Sequence, residues 1–378
     1  MLPALVPIDP MAPNPMTKAT ARPRRPLRFV LRAGLALLSA AMGLFAVEWG
    51  VRRVDAFGIA YYREVPAYFA EAIVPFLGPD GLPDPQGRIF QQKPGVSLEF
   101  VDFDFITDSA GLRSDDPAAT VPARVGPPTP GEGAWSSERW LFLGDSVTLA
   151  WGVDDADSWV RRFEAEARAV DGRPIEALNA GHLMYETVQQ ADLLATIGPL
   201  LAPDVVALCF ISNDLEPTYD VFIEQVAEAQ RLAAQRRGAG LLAHAADAIG
   251  RRFVGLAGVL RYLRERDTAA EGHASRSGPM RLYPANWPRC AGALDSIVAN
   301  CASLGARFVL IDHSMPPLPD LPTWAAAAGV DYVRVGFEPA DWARGIVNSK
   351  VDAHANALGN RIIAVKVLAG LRALGRIR

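Results

Sequence analysis

From Arg139 onward, short apolar runs take turns with helical patterns, and the first three runs each close on a small polar tripeptide. That alternation constrains the fold more than any other feature of the chain. Trp140 to Leu143 leads into Gly144-Asp145-Ser146, Ile175 to Leu178 into Asn179-Ala180-Gly181, and Val205 to Ile211 into Ser212-Asn213-Asp214. Phe308–Ile311 and Tyr332–Val335 supply two further runs, while Trp159–Val170, Thr187–Leu201, Pro288–Ser303 and Ala357–Leu374 carry a helical period. Strands alternating with helices predict an α/β fold, a parallel sheet with helices on both faces. Ligands of such sheets bind beyond the carboxyl ends of the strands, which is where the tripeptides fall.

One of those ends carries Ser146. A serine hydroxyl becomes a nucleophile when a base removes its proton, and the usual base is a histidine oriented by a carboxylate. His354, with Asp352 two residues before it, lies just ahead of the closing helix, so the fold returns both to the same edge. The developing oxyanion needs preorganised donors. The Ser146 N–H, the Gly181 N–H and the Asn213 amide follow three different strands and are expected to converge there. Each signal alone has a plainer reading: Ser146 as a turn residue, Asn213 as a turn or helix cap, His354 as an exposed or capping histidine. Their joint placement at one rim favours catalysis. Of the other histidines, His182 is expected beside the pocket, His313 at a strand end, and His244 and His273 in an insertion. No His/Cys/Asp set has metal-ligand spacing, so the expectation is chemistry with no metal and no cofactor.

The charge is partitioned. Lys18 and seven arginines against Asp9 and Glu48 leave residues 1–53 at net +6, within a chain of net −4. The rest of the chain is therefore acidic, with no electrostatic case for nucleic acid. Between Arg32 and Glu48 lie fifteen uncharged, mostly apolar residues, preceded by Arg22, Arg24, Arg25, Arg28 and Arg32. Positive flanks stay on the cytoplasmic side. The reading is a basic cytoplasmic tail over 1–32, a transmembrane anchor over 33–51, and a body outside the cytoplasm, periplasmic or extracellular. No small-x-small site closes the run, which favours an uncleaved anchor in contact with membrane lipid over a cleaved signal peptide. Half the 378 residues are hydrophobic and 21% charged, which excludes a disordered tail, a collagen repeat and a disulfide miniprotein. Cys290 and Cys301, eleven residues apart on one predicted helix, sit roughly 16 Å apart, too far for a bridge.

Residues 54–138 read as a connector. Val96, Leu98 and Phe100, then Val101, Phe103 and Phe105, alternate with polar residues and predict a strand or hairpin in need of a partner sheet. Residues 115–137 are a Pro/Gly-rich linker. The domain proper spans 139–378, interrupted over 217–284 by an amphipathic helical insertion with ten arginines and seven acidic residues. Two readings stand for it: a solvated insertion, or a lid or membrane-leaning surface.

Taken in order, Gly144-Asp145-Ser146-Val147-Thr148, Asn179-Ala180-Gly181, Ser212-Asn213-Asp214 and Asp352-Ala353-His354 resemble the four blocks of the SGNH (GDSL) hydrolase superfamily. The run through Trp151-Gly152-Val153 and the upstream Thr107 to Arg113 look like its membrane-anchored bacterial branch. The resemblance implies a three-layer α/β/α, flavodoxin-like fold and metal-free ester hydrolysis. It implies Ser146 as nucleophile, His354 as base, Asp352 as its orienter, and Ser146, Gly181 and Asn213 as oxyanion donors. The sequence departs from the family pattern in two places. Ile211-Ser212 stands where a glycine usually precedes the Asn, and one residue separates Asp352 from His354 where two are common. The function expected is a serine esterase acting on an acyl or acetyl ester of a small molecule or glycan at the cell envelope. Two alternatives are an O-acyltransferase acting on an envelope glycan and a non-catalytic envelope module.

Overall fold

The computed structural model describes residues 25–53, 61–76, 87–122, 124, 135–217, 222–223, 278–349 and 352–378. Two compact units divide the chain, Met1–Val47 and Glu48–Arg378. The first is dominated by helix α1 (Arg25–Arg53), which starts eight residues ahead of the predicted anchor. Its segment Phe29–Gly50 is long and apolar enough to cross a bilayer, and Phe29, Leu35, Leu37, Met42 and Phe45 are all exposed along it. A signal sequence passes the same test of length and composition.

The last residues of α1, Glu48–Arg53, belong to the second unit, which continues with α2 (Tyr61–Ala67) and a π-helical turn, Tyr68–Ala72. Two small antiparallel pairs follow: β1 (Ile73–Pro75) with β2 (Phe90–Gln92), and β3 (Ser97–Glu99) with β4 (Asp104–Ile106). The alternating apolar residues around Phe103 do form a hairpin. Among the described residues it joins no larger sheet. Its apolar side packs instead into the main core, where Tyr68, Phe90, Phe105 and Trp151 are fully buried together. Backbone bonds seal the contact, since the Arg113 N–H donates to the Asn179 carbonyl at 3.0 Å. The Arg113 side chain is buried between Phe103 and Phe105, and loss of hydration pushes its pKa down to about 10.

Five parallel strands make the central sheet: β5 (Glu138–Gly144), β6 (Ile175–Gly181), β7 (Val205–Phe210), β8 (Arg307–Asp312) and β9 (Asp331–Arg334). Their order is β6-β5-β7-β8-β9. Counted within the sheet this is 2-1-3-4-5, the flavodoxin-like order, whose switch point lies between the first and third strands. Register pairs Gly144 with both Gly181 and Cys209, so three polar tripeptides leave the sheet at one level. After β5 come α3 (Ser146–Leu149) and α4 (Trp159–Glu166), after β6 comes α5 (Thr187–Leu201), and α6 (Gly278–Leu304) precedes β8. Helix α7 (Asp320–Ala328) leads to β9, and α8 (Pro339–Trp342) and α9 (Ala357–Ala373) follow it.

Alternate residues of the sheet feed two cores. Trp140, Phe142, Ala207 and Ile311 pack on Trp159 and Phe163 of α4 and on Ile363, Val367 and Leu371 of α9. Leu141, Leu143, Leu208 and Leu310 pack on Leu194 and Ile197 of α5, Leu294 and Ile297 of α6, and Leu321 of α7. Each such Leu, Ile, Val or Phe side chain contributes about 1.5–3 kcal/mol by leaving water, which holds the three layers together. The α/β/α prediction therefore matches the fold. In the second unit two helix ends differ by more than one residue. Helix α4 stops at Glu166, because Arg168 turns away to bridge Pro174. Helix α6 starts at Gly278, carrying Pro284 and Pro288 inside it, whereas the sequence placed Pro288 at its start. Most of the predicted insertion, 218–221 and 224–277, and part of the linker, 123 and 125–134, lie outside the described residues. The three cysteines are free and buried.

Candidate active site

The turn between β5 and α3 is built so that the residue after Asp145 faces the strand ends. A Cβ on Gly144 would lie 2.1 Å from Thr148 Oγ1, so only glycine lets α3 close down on the strand. Asp145 then caps α3, its Oδ1 accepting the Val147 N–H at 2.8 Å. Ser146 is left as the first helical residue, 6% exposed, and its N–H has no acceptor among the described residues.

His354 arrives from the other end of the chain. The loop before α9 is pinned by Asn348 N–H to the His354 carbonyl at 2.9 Å, and Asn356 caps α9 through Leu358 and Gly359. His354 Nε2 lies 2.8 Å from Ser146 Oγ, and its Nδ1 lies 2.5 Å from Asp352 Oδ1. The single-residue spacer is accommodated locally. Asp352 Oδ1 accepts both the backbone N–H of His354 at 3.0 Å and the ring nitrogen, so one oxygen fixes the residue twice. The other oxygen takes the Asn348 amide at 3.0 Å, and that amide also reaches the Trp151 carbonyl, tying the carboxylate to the turn after α3. Burial opposes protonation of His354, but the hydrogen bond and charge of Asp352, with the charge of Asp145, outweigh it and hold the pKa above the ordinary histidine value. Tyr61 of α2 stands over the ring at 6.2 Å between centroids.

The expected oxyanion donors meet different fates. Asn213 sits in a 3-10 turn, Ser212–Leu215, beyond β7. Its Nδ2 donates to Asp145 Oδ2 at 3.1 Å, and the same oxygen lies 3.2 Å from Ser146 Oγ. The amide therefore flanks the hydroxyl. Ser212, where the family pattern has glycine nearby, bridges to Met315 through its hydroxyl and locks the turn to the loop after β8. The Gly181 N–H donates to Asn179 Oδ1 at 3.0 Å. The glycine serves packing, since a Cβ there would lie 2.2 Å from the Leu149 backbone nitrogen.

Two features had no sequence signal. Met184, in the turn after β6, holds a left-handed backbone at φ +66°, strain of about 1–3 kcal/mol that a residue name does not announce. The link from Asp145 to Asn213 joins positions 68 residues apart. His182 is buried against Tyr185, and desolvation lowers its pKa to about 4. His313 points its Nδ1 at the Val335 carbonyl at 3.3 Å and is likewise lowered to about 4 by burial. Neither is bonded to Ser146. His244 and His273 lie outside the described residues.

No family model matches the chain, and no curated protein does. Among solved structures it is similar to SGNH/GDSL hydrolases and esterases. TesA is 15% identical with a TM-score of 0.34, over 62% of this chain and 99% of that one. The psychrotrophic esterase EstA from Pseudoalteromonas sp., inhibited by monoethylphosphonate, is 12% identical with a TM-score of 0.38, over 63% and 98%. A catalytic mutant of the acetylxylan esterase Axe2 from Geobacillus stearothermophilus is 15% identical with a TM-score of 0.32, over 62% and 94%. At scores this low the fold is defined by the chain's own strand order, and activity is not carried across.

Proposed function

We propose that this chain is a serine esterase of the SGNH (GDSL) type, cleaving an acyl or acetyl ester through Ser146, His354 and Asp352. One observation carries the reading: an unbroken line of hydrogen bonds from Ser146 Oγ through the His354 ring to Asp352, at the strand ends where α/β sheets bind ligands. In the reaction His354 Nε2 takes the hydroxyl proton as Oγ attacks the ester carbonyl, and returns it to the departing alcohol. Asp352 keeps the ring in the tautomer with Nδ1 protonated and stabilises the imidazolium. The Ser146 N–H and the Asn213 amide receive the charge on the carbonyl oxygen. Water then resolves the acyl-enzyme by the same steps in reverse. The apolar run over 33–51 within helix α1 serves as the anchor, and the five arginines ahead of that run keep the N-terminus cytoplasmic and the body at the envelope.

The test is hydrolysis of p-nitrophenyl acetate and longer p-nitrophenyl esters by the full chain in detergent, with labelling of Ser146 by a fluorophosphonate. Turnover that vanishes together with labelling in a folded Ser146→Ala variant supports the reading. A folded wild-type protein that neither turns over an ester nor takes the label refutes it.

A further inference from the structure

The nucleophile has two neighbours able to accept its proton. Ser146 Oγ lies 2.8 Å from His354 Nε2 on one side and 3.2 Å from Asp145 Oδ2 on the other, and it has one hydrogen to give. Asp145 is fully buried. Burial pushes the Asp145 pKa up, the largest effect on it, while the three groups bonded to its carboxylate, the Val147 N–H, the Asn213 NH2 and the Ser146 hydroxyl, all donate and pull it back toward the ionised form. A carboxylate cannot accept from the oxygen end of an amide. Asp145 thereby dictates which end of Asn213 faces the nucleophile, and Asn213 Oδ1 is left buried on the far side with no partner among the described residues.

We propose that Asp145 is a positioning residue: its carboxylate turns the NH2 end of Asn213 toward Ser146, and accepts the Ser146 hydroxyl whenever His354 is protonated. With His354 neutral, Nε2 is the acceptor and the hydroxyl points at its base. With His354 protonated, Nε2–H donates to Oγ and the hydroxyl donates onward to Asp145. The oxygen thus stays in place in both states. Sharing Oγ also keeps the carboxylate within about 6 Å of Nε2, where its charge favours the imidazolium after the larger effect of Asp352. The groups facing the ring are Asp352 from its own loop, Asp145 from the β5–α3 turn and Tyr61 from α2, with Asp214 behind Asp145. This role rests on the serine esterase reading for its kinetic consequence, while its effect on the His354 charge stands without it.

The experiment compares Asp145→Asn, Asp145→Ser, Asn213→Ala and the double variant Asp145→Asn/Asn213→Ala, each as the full chain. Serine retains a cap for α3 while removing the charge, so it separates positioning from helix capping. The chain has five histidines, and selective labelling lets the His354 ring be titrated by NMR without any substrate. The expected result is a His354 pKa lowered by about one unit in both Asp145 variants. Asp145→Asn should also lower kcat about a hundredfold with KM little changed. Adding Asn213→Ala to it should cost less than about threefold more, because both changes remove the same donor geometry. An unchanged His354 titration in folded variants overturns the proposal, as do losses from Asp145→Asn and Asn213→Ala that multiply independently. If no ester is turned over, the esterase reading fails alone, and the titration still decides the role of Asp145.

Discussion

Two strand ends of one sheet carry the same three residue types and reach opposite outcomes. At the end of β8 the chain reads Asp312-His313-Ser314, an aspartate, a histidine and a serine in consecutive positions and all buried. At the end of β5 it supplies only Asp145 and Ser146, and the histidine comes from 208 positions away. The consecutive set is closed on itself. Ser314 Oγ donates to Asp312 Oδ1 at 2.5 Å, the same carboxylate takes Arg334 and the Tyr332 hydroxyl, and His313 turns to the Val335 carbonyl. Among the described residues no hydroxyl is hydrogen-bonded to that imidazole. At β5 the serine faces a ring whose other nitrogen is held by Asp352, and His354 is half-buried where His313 is buried. Composition is equal at the two ends. What differs is whether the hydroxyl is hydrogen-bonded to an imidazole.

The largest contrast is therefore between the two histidines. His354→Ala is expected to lower ester turnover by a thousandfold or more, as removal of a triad member does. His313→Ala should leave kcat within about threefold and reduce stability by about 1–3 kcal/mol, through the lost Val335 bond and the cavity beside Phe337. Measured kcat and melting temperature for the pair check this. Equal losses of activity would mean that the β8 end takes part in the chemistry after all.

The sequence exposed this difference only in part, and the reason is physical. A run such as Trp140–Leu143 announces a strand because sheet burial acts on each of its residues, and the tripeptide that follows announces the edge. Thr187–Leu201 shows its helix with both boundaries correct for the same reason. A hydrogen bond between residues 68 positions apart, or the left-handed turn at Met184, depends on how loops meet and leaves no local periodicity. Gly181 shows the limit most clearly. The sequence marked it as an oxyanion donor, and a glycine kept for close packing and a glycine kept for its N–H look alike in a string of letters. The same holds for the apolar alternation near Phe103, which announced a hairpin without saying that it packs into the main core beside Trp151.

A smaller contrast follows for the two residues first read as donors. Asn213→Ala should lower kcat by roughly a hundred- to a thousandfold, with KM and melting temperature little changed, because its bond to the oxyanion tightens only as charge develops. Gly181→Ala should behave differently. Its new Cβ meets backbone of α3 at 2.2 Å, so the helix carrying Ser146 must shift, and melting temperature and kcat should fall together. A Gly181→Ala protein with normal stability and a selective loss of kcat would restore its N–H to the oxyanion site and break the distinction drawn from its bond to Asn179.

The smallest expected effect is on stability against pH, and it isolates the closed end of the sheet. His313 is buried with its pKa lowered to about 4, below the ordinary value of 6.5. Between those values the unfolded chain binds a proton at this residue and the folded protein does not. Stability therefore rises with pH across the window and is lost as pH falls from about 6.5 to about 4, by at most roughly 3 kcal/mol for this one group. Below about pH 4 both states are protonated there and the slope from this residue ends. The buried carboxylates Asp145 and Asp214 have raised pKa values, burial being the largest cause, and contribute in the opposite sense. They are common to the wild type and a His313→Gln variant, so subtracting the two pH curves removes them, along with His182. Glutamine keeps a donor for the Val335 carbonyl but cannot titrate. The expected difference curve is flat above pH 7 and slopes through the window, with the wild type losing stability faster toward acid. His354 should leave no trace in it, because both proteins share that residue and its pKa is shifted the other way. A difference curve that is flat from pH 7 to pH 4 would mean that His313 gains its proton in the folded state as readily as in water, and that the β8 end is more open than its hydrogen bonds imply.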